Sequence, residues 1–268
     1  MSGTYVHGYD HTENVRLRDQ ASTLVELLHA DTHFPPRSRV LEAGCGVGAQ
    51  TITLARNSPD AAITSVDISE GSLSLASRAV AAAGIANVTF RRADVFDLPF
   101  APASFDHVFV CFLLEHLSRP VAALQALRTR LRPGGTITVI EGDHGSTCFH
   151  PDSAAARRAV QSLVELQNRS GGNALIGREL YPRLQDAGFT DVHVSPRMVY
   201  VDASRPQLVD GFLRRTFTPM VEGVRDAAVS GGLIDQETFD RGVADLYRTA
   251  QPDGVFCYTF FKGVALMR

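Results

Sequence analysis

The chain has 268 residues, 44% hydrophobic and 21% charged, enough apolar material for a sizeable core without disulfides or metal. A net charge of −3 with no basic block argues against a nucleic-acid partner. No apolar run approaches the ~18 residues of a bilayer span, which argues against a membrane partner.

Length over roughly 150 residues per domain gives about 1.8, one enlarged domain or two small ones. Cys45, Cys111, Cys148 and Cys257 lie far apart with no CxxC pair, and the start MSGTYVHGYDHTEN has no apolar signal core. Both features predict reduced thiols in the cytoplasm. Trp is absent, so any aromatic cage must use Phe, Tyr or His.

In chain order, Arg16 to Ala30 reads as an amphipathic helix with Leu17, Ala21, Leu24, Leu27 and Leu28 on one stripe, ended by Phe34-Pro-Pro. Ser38 to Glu42 is a first strand, followed by Gly44-Cys-Gly-Val-Gly and a helix from about Ala49 to Arg56. Ala62 to Asp67 is a second strand, Gly71 to Ala83 a helix, and Val88 to Arg92 a third strand. Phe105 to Cys111 is strand four, Pro120 to Leu131 a helix stopped by Arg132-Pro-Gly-Gly, and Thr136 to Glu141 strand five.

Gly177 to Ala187 is a helix ended by Gly188, and Val192 to Val201 and Val255 to Met267 are strand-like. This alternation is α/β grammar. Two stretches break the rhythm, Gly142 to Asn173 and Ala203 to Asp253, both with helical periodicity. They read as insertions. The second carries Phe212, Phe217, Met220, Val224, Phe239 and Tyr247, as a lid packing on something would.

Gly44, Gly46 and Ala49 satisfy the G-x-G-x-x-G/A spacing after a strand and before a helix, with Asp67 about twenty residues on. Asp67 can accept both hydroxyls of a ribose, which nicotinamide dinucleotides and S-adenosylmethionine (SAM) both offer. Charge separates the two. A carboxylate at Glu42 disfavours a nearby pyrophosphate and suits the ammonium of an amino-acid ligand, directly or through water. Asp94 and Val95 after strand three offer a carboxylate to an adenine amino group and an apolar wall to its ring. No Walker sequence occurs.

VLEAGCGVG, SVDIS, RRADVFDLPF, FDHVFVCFLLEHL and LRPGG, in this order over about Arg39 to Glu141, resemble the motifs of class I SAM-dependent methyltransferases. The match is closest to the small-molecule branch that includes ubiquinone- and menaquinone-biosynthesis methyltransferases. The resemblance implies a Rossmann-like, mostly parallel seven-stranded sheet with an antiparallel last strand and helices on both faces. It implies that Glu42, Gly44, Gly46 and Gly48 contact the methionine part of SAM, Asp67 and Ile68 the ribose, and Asp94 and Val95 the adenine. Cys111 would end strand four beside the cofactor.

The N-terminal segment is similar to relatives in which YxxGY and an RLxxQ helix close over the cofactor. Here these are Tyr5, Tyr9, Arg16 and Gln20, with Arg16 or Gln20 binding the methionine carboxylate and a Tyr ring facing the sulfonium. The alternative is a capping helix with a solvated polar face.

Methyl transfer from a sulfonium is an in-line displacement that needs a base only if the acceptor must lose a proton. His116, just past strand four, is a candidate base, set against a loop-orienting role for Glu115 and His116. Asp143 and His144 at the end of strand five are second candidates, and His7 and His11 reach the substrate only if the N-terminal segment closes as a lid. HGSTCFH matches no standard zinc spacing, so no metal is expected.

Substrate contacts are expected from Tyr5, Arg178, Tyr181, Arg197, Tyr200 and Tyr258, with surface salt bridges as the alternative for the arginines. The apolar second insertion suggests an apolar or aromatic acceptor, unless its side chains only form the lid's own core.

The reading is a cytoplasmic methyltransferase acting on an O, N or C atom of a small organic molecule that is apolar or aromatic and carries a carboxylate if the arginines converge. The alternatives are a nicotinamide-dependent oxidoreductase and a non-catalytic SAM-binding module. The oligomeric state is left open. One domain spans 1–268, with a helical cap at 1–37, a SAM-binding core at 38–201 plus 254–268, and lid insertions at 142–173 and 203–253.

Overall fold

The computed structural model describes residues 23–268, and in them the β-branched runs and the alanine-rich runs separate into strands and helices. Helix α1 occupies residues 23–29. Then come β1 (Arg39–Ala43), α2 (Thr51–Asn57), β2 (Ala62–Asp67), α3 (Glu70–Ala82), β3 (Val88–Arg92) and β4 (Phe105–Cys111). Ser69 starts α3 by accepting a hydrogen bond from the Ser72 amide, satisfying one of the unpaired donors of its first turn. A 3-10 turn, Leu114–His116, leads to α4 (Pro120–Arg128), where proline in the first turn forfeits no helical bond.

β5 (Leu131–His150) is followed by α5 (Ala154–Arg169), a 3-10 turn (Ile176–Glu179), α6 (Leu180–Asp186) and β6 (Thr190–Val201). The helices α7 (Pro206–Leu208), α8 (Thr218–Glu222), α9 (Arg225–Ser230) and α10 (Gln236–Arg248) precede β7 (Val255–Leu266). A π-helical stretch, Val209–Phe217, joins α7 to α8.

The strands form one sheet in the order β3-β2-β1-β4-β5-β7-β6. β1 to β5 are parallel, and β7 runs antiparallel to both β5 and β6. The strand order reverses between β1 and β4, so the crevice of this α/β sheet opens at their carboxyl ends.

Burial follows the two faces. Val40, Phe109 and Ile140 join α1, α2 and the 209–250 helices in one cluster, while Leu41, Val108 and Val139 join α4 and α6 in the other.

Strand five differs from its sequence reading. It runs on through residues 142–150, which had been assigned to a helical insertion. The reason is nonlocal: Cys148, Phe149 and His150 pair with Cys257, Phe256 and Val255 of β7. Between Asp143 and Cys148 the register shifts, so residues 144–147 bulge out of the ladder. The expected helix over Gly177 to Ala187 is split into a 3-10 turn and α6. Of the expected helix Arg16 to Ala30, the described part is helical over residues 23–29.

The aromatic side chains of the second insertion are spent on the core. Phe212, Phe217 and Phe239 are buried, and Phe217 meets Phe256 with ring centroids 4.7 Å apart. Gly211 lets the π-helical stretch lie against α1, because a Cβ there would fall 2.2 Å from the Thr23 hydroxyl. Lys262 of β7 fastens the same helix, its ammonium donating to the Leu28 carbonyl at 3.3 Å and to Asp31 and Thr32 at 2.6 Å.

Candidate active site

The glycine loop is shaped from the strand outward. Gly44, Gly46 and Gly48 have φ of 73°, 52° and 78°, a left-handed backbone that L side chains disfavour. Their surroundings separate their roles. A Cβ on Gly44 would meet Leu113 at 2.8 Å, and one on Gly48 would meet Ala76 of α3 at 2.9 Å. These two glycines admit close packing. At Gly46 a Cβ would meet nothing within 4 Å among the described residues, so on their side the middle of the loop faces open space.

Asp67, at the carboxyl end of β2, holds the loop with one oxygen and its own turn with the other. It accepts from the Gly46 amide at 2.8 Å and from the Ser69 amide at 2.9 Å. Ile68 beside it is exposed, and Asp94 accepts from the Phe96 amide at 2.9 Å. Glu42 is buried beneath the loop, where one carboxylate oxygen accepts from Thr51 and Ser65 at 2.7 and 2.6 Å. Burial pushes its carboxyl up to about 7, against the pull of the two hydroxyls and helped by nearby Asp67. Glu42 therefore ties α2 and β2 to the strand under the loop. Cys111 closes the floor, buried, with its thiol pushed well up by that burial and by surrounding carboxylates.

Beyond β4 the chain turns at Phe112, whose φ of 55° is an unusual conformation for a bulky residue. Glu141 fixes this turn: one carboxylate oxygen accepts from the amides of Leu113 and Leu114 at 3.0 and 2.7 Å. Its other oxygen is buried without a hydrogen-bond partner among the described residues, and burial followed by the neighbouring Glu115 charge raises its carboxyl well above the ordinary range. The Glu115 carbonyl accepts from the Asn173 amide at 2.8 Å and from Gln167 of α5 at 3.1 Å. The first insertion thus holds the turn carrying Glu115 and His116.

The acid and histidine groups converge there. The His116 imidazole lies 3.5 Å from one Glu115 oxygen, and the His144 Nε2 lies 3.9 Å from the other. The second ring nitrogen of His144 is 2.7 Å from the Tyr258 hydroxyl. The bulge in β5 and the β7 residue opposite it bring these last two together. Asp143 is buried and holds the Arg178 guanidinium through both oxygens, at 2.6 and 2.8 Å.

Of the sequence-derived candidates, the structure gathers His116, Asp143, His144, Arg178 and Tyr258 on one side, and Glu42, Gly44, Gly46, Gly48, Asp67 and Cys111 about the loop. Arg197 instead pairs with Asp31 after α1, at 2.5 Å. Tyr200 lies under the Arg205 guanidinium, and Tyr181 is exposed on α6. Tyr5, Tyr9, His7, His11, Arg16 and Gln20 lie outside the described residues. Among the described residues no group of three or more His, Cys, Asp or Glu could hold a metal ion.

Sequence reasoning missed Glu141 and Gln167. The available signal for Glu141 was a carboxylate closing an otherwise uncharged strand, Thr136 to Ile140.

Residues 40–135 match the family model of a methyltransferase domain. A methyltransferase of Schizosaccharomyces pombe is 32% identical over 165 residues, 59% of this chain and 59% of that protein. Demethylmenaquinone methyltransferase of Symbiobacterium thermophilum is 33% identical over 114 residues, 42% of this chain and 45% of the enzyme. The chain spans 35%, 59% and 61% of the length of three curated relatives that it matches.

Among solved structures, Haemonchus contortus phosphoethanolamine N-methyltransferase 2 in complex with SAM superposes with a TM-score of 0.56. It is 18% identical, and the match covers 92% of this chain and 52% of that one. The likeness is one of fold. Sheet order, glycine loop and the match over residues 40–135 are together similar to those of a class I methyltransferase domain. SAM, the cofactor of that class, suits the loop on one local ground: the open face at Gly46 sits beside a carboxylate able to accept hydroxyl donors.

Proposed function

We propose that this protein transfers the methyl group of SAM to an O, N or C atom of a small organic molecule in the cytoplasm, with no nucleic-acid or membrane partner. The observation that carries the reading is the Gly46 face, which among the described residues has room beside it where Gly44 and Gly48 do not, next to Asp67. Gly44, Gly46 and Gly48 would admit the methionine part, Asp67 and Ile68 the ribose, and Asp94 and Val95 the adenine, over the floor made by Cys111. When bound, SAM supplies an electrophilic methyl group, and the protein's part is to hold the acceptor in line with it.

His116 and His144, each near a Glu115 oxygen, are the groups this reading assigns to proton removal from an acceptor hydroxyl or ammonium. Tyr258 orients the His144 ring. Arg178 and Arg197 are each engaged by a carboxylate of the protein, so neither argues for a carboxylate on the acceptor. The aromatic side chains around Phe217 and Tyr258 are buried against one another, so they do not argue for an aromatic acceptor either.

Calorimetry with SAM, S-adenosylhomocysteine and NAD tests the cofactor. Binding of the first two is expected, and NAD binding without SAM binding would overturn the proposal. A metabolite-library screen read by mass spectrometry for methylated products would identify the acceptor.

A further inference from the structure

Cys148 and Cys257 are remote in sequence yet stand directly opposite each other where β5 pairs antiparallel with β7. Directly opposed residues in such a ladder project from the same face, with Cα atoms about 4.5 to 5.5 Å apart. That spacing falls inside the ~4.4 to 6.8 Å that a disulfide bridges. Partial burial, followed by the neighbouring Cys148 thiol, pushes the Cys257 thiol up to about 11. Cys148 is exposed and Cys257 half-buried, whereas Cys45 and Cys111 are buried. Neither member of the pair has a part in the cofactor loop or the acid–histidine cluster.

We propose that Cys148 and Cys257 are a reversible dithiol–disulfide pair, with Cys148 as the thiol that meets a small-molecule disulfide such as oxidised glutathione. The Cys148 thiolate attacks one glutathione sulfur. A Cys148–glutathione bond forms, the glutathione S–S bond breaks, and the first glutathione thiolate takes up the proton that Cys148 gave to solvent. Cys257 then loses its proton and attacks the Cys148 sulfur, releasing the second glutathione. Two protein thiols are oxidised and one glutathione disulfide is reduced to two thiols. The product ties β5 to β7 at the far end of the 144–147 bulge, one residue from Tyr258. This site does not depend on the methyltransferase reading.

The test is to incubate the full chain with oxidised glutathione, block remaining thiols with N-ethylmaleimide, and measure intact mass and disulfide-linked peptides. Compared with an untreated chain blocked in the same way, the wild-type chain should lack the adducts at Cys148 and Cys257 and yield a Cys148–Cys257 peptide pair, reversed by dithiothreitol. Cys257→Ser should stop at a glutathione adduct on Cys148, because the resolving thiol is gone. Cys148→Ser should form neither product at these positions. A wild-type chain that carries only glutathione adducts, or keeps both thiols, would overturn the proposal, as would a Cys257→Ser chain with no adduct on Cys148.

Discussion

At the glycine edge of the cleft the bonds are short in sequence, whereas at the bulge edge they are long. Gly46 to Asp67, Thr51 to Glu42 and Ser65 to Glu42 join residues 21, 9 and 23 positions apart. On the other side, Arg178 to Asp143 spans 35 positions, Gln167 to Glu115 spans 52, and His144 to Tyr258 spans 114. The first region is a self-contained strand–turn–helix unit, so its demands for glycine and carboxylate appear as a motif. The second gathers groups from α5, the 176–179 turn and β7, so it forms only as distant segments dock, and it can vary without disturbing the loop.

The contrast is most sharply tested within the loop. Gly48→Val should cost more than about 3 kcal/mol in urea denaturation, because its Cβ would fall 3.0 Å from the Ala76 Cα at a φ of 78°. Gly46→Val, with nothing near its Cβ, should cost only about 1 to 2 kcal/mol while weakening SAM binding tenfold or more. Equal stability losses would erase the distinction between packing and ligand-facing glycines.

A pH effect should follow from Glu42. Its carboxyl is raised from 4.5 to about 7, so the folded chain holds a proton that the unfolded chain has released. Its contribution is fully present below about pH 4.5 and is lost as pH rises to about 7, an amount of roughly 3 kcal/mol. Glu42→Gln should remove that part of the decline, seen as a smaller difference in urea midpoint between pH 5 and 8. An unchanged pH profile would show that the carboxyl titrates normally.

At the bulge edge, Arg178→Ala leaves buried Asp143 without its cation. Since the arginine is 48% exposed and water screens the pair, about 2 to 3 kcal/mol of stability should be lost, measured by thermal or urea unfolding. If His116 removes a proton, His116→Ala should lower turnover about 100-fold with SAM affinity nearly unchanged. An unchanged rate would return His116 to holding the turn. Tyr181→Ala, exposed on α6 with its hydroxyl accepting from Gln185, should change stability by less than about 0.5 kcal/mol and leave turnover as it was. A marked fall in turnover would bring α6 into the acceptor site.

The strands and the glycine loop were legible because local rules specify them, through β-branched runs and tight turns, whereas the antiparallel direction of the last strand followed only from the resemblance that the ordered motifs carry. The second half of β5 was not legible. Residues 142–150 contain two glycines, Asp and His, with no period-two pattern, and become strand only through β7. Arg197 was drawn toward the substrate by its residue type, but Asp31, 166 positions earlier, engages it. The aromatic residues of the second insertion were legible as buried, while their partners on β7 were not.

The position of β7 also constrains how the chain is made. It lies between β5 and β6, yet follows β6 and all the helices from α7 to α10 in the chain. During synthesis β5 emerges with an unpaired edge, β6 follows without its ladder partner, and α1 waits for Lys262. The strands on the glycine-loop side can pair as soon as β4 appears, but the bulge side must remain open until its central strand leaves the ribosome.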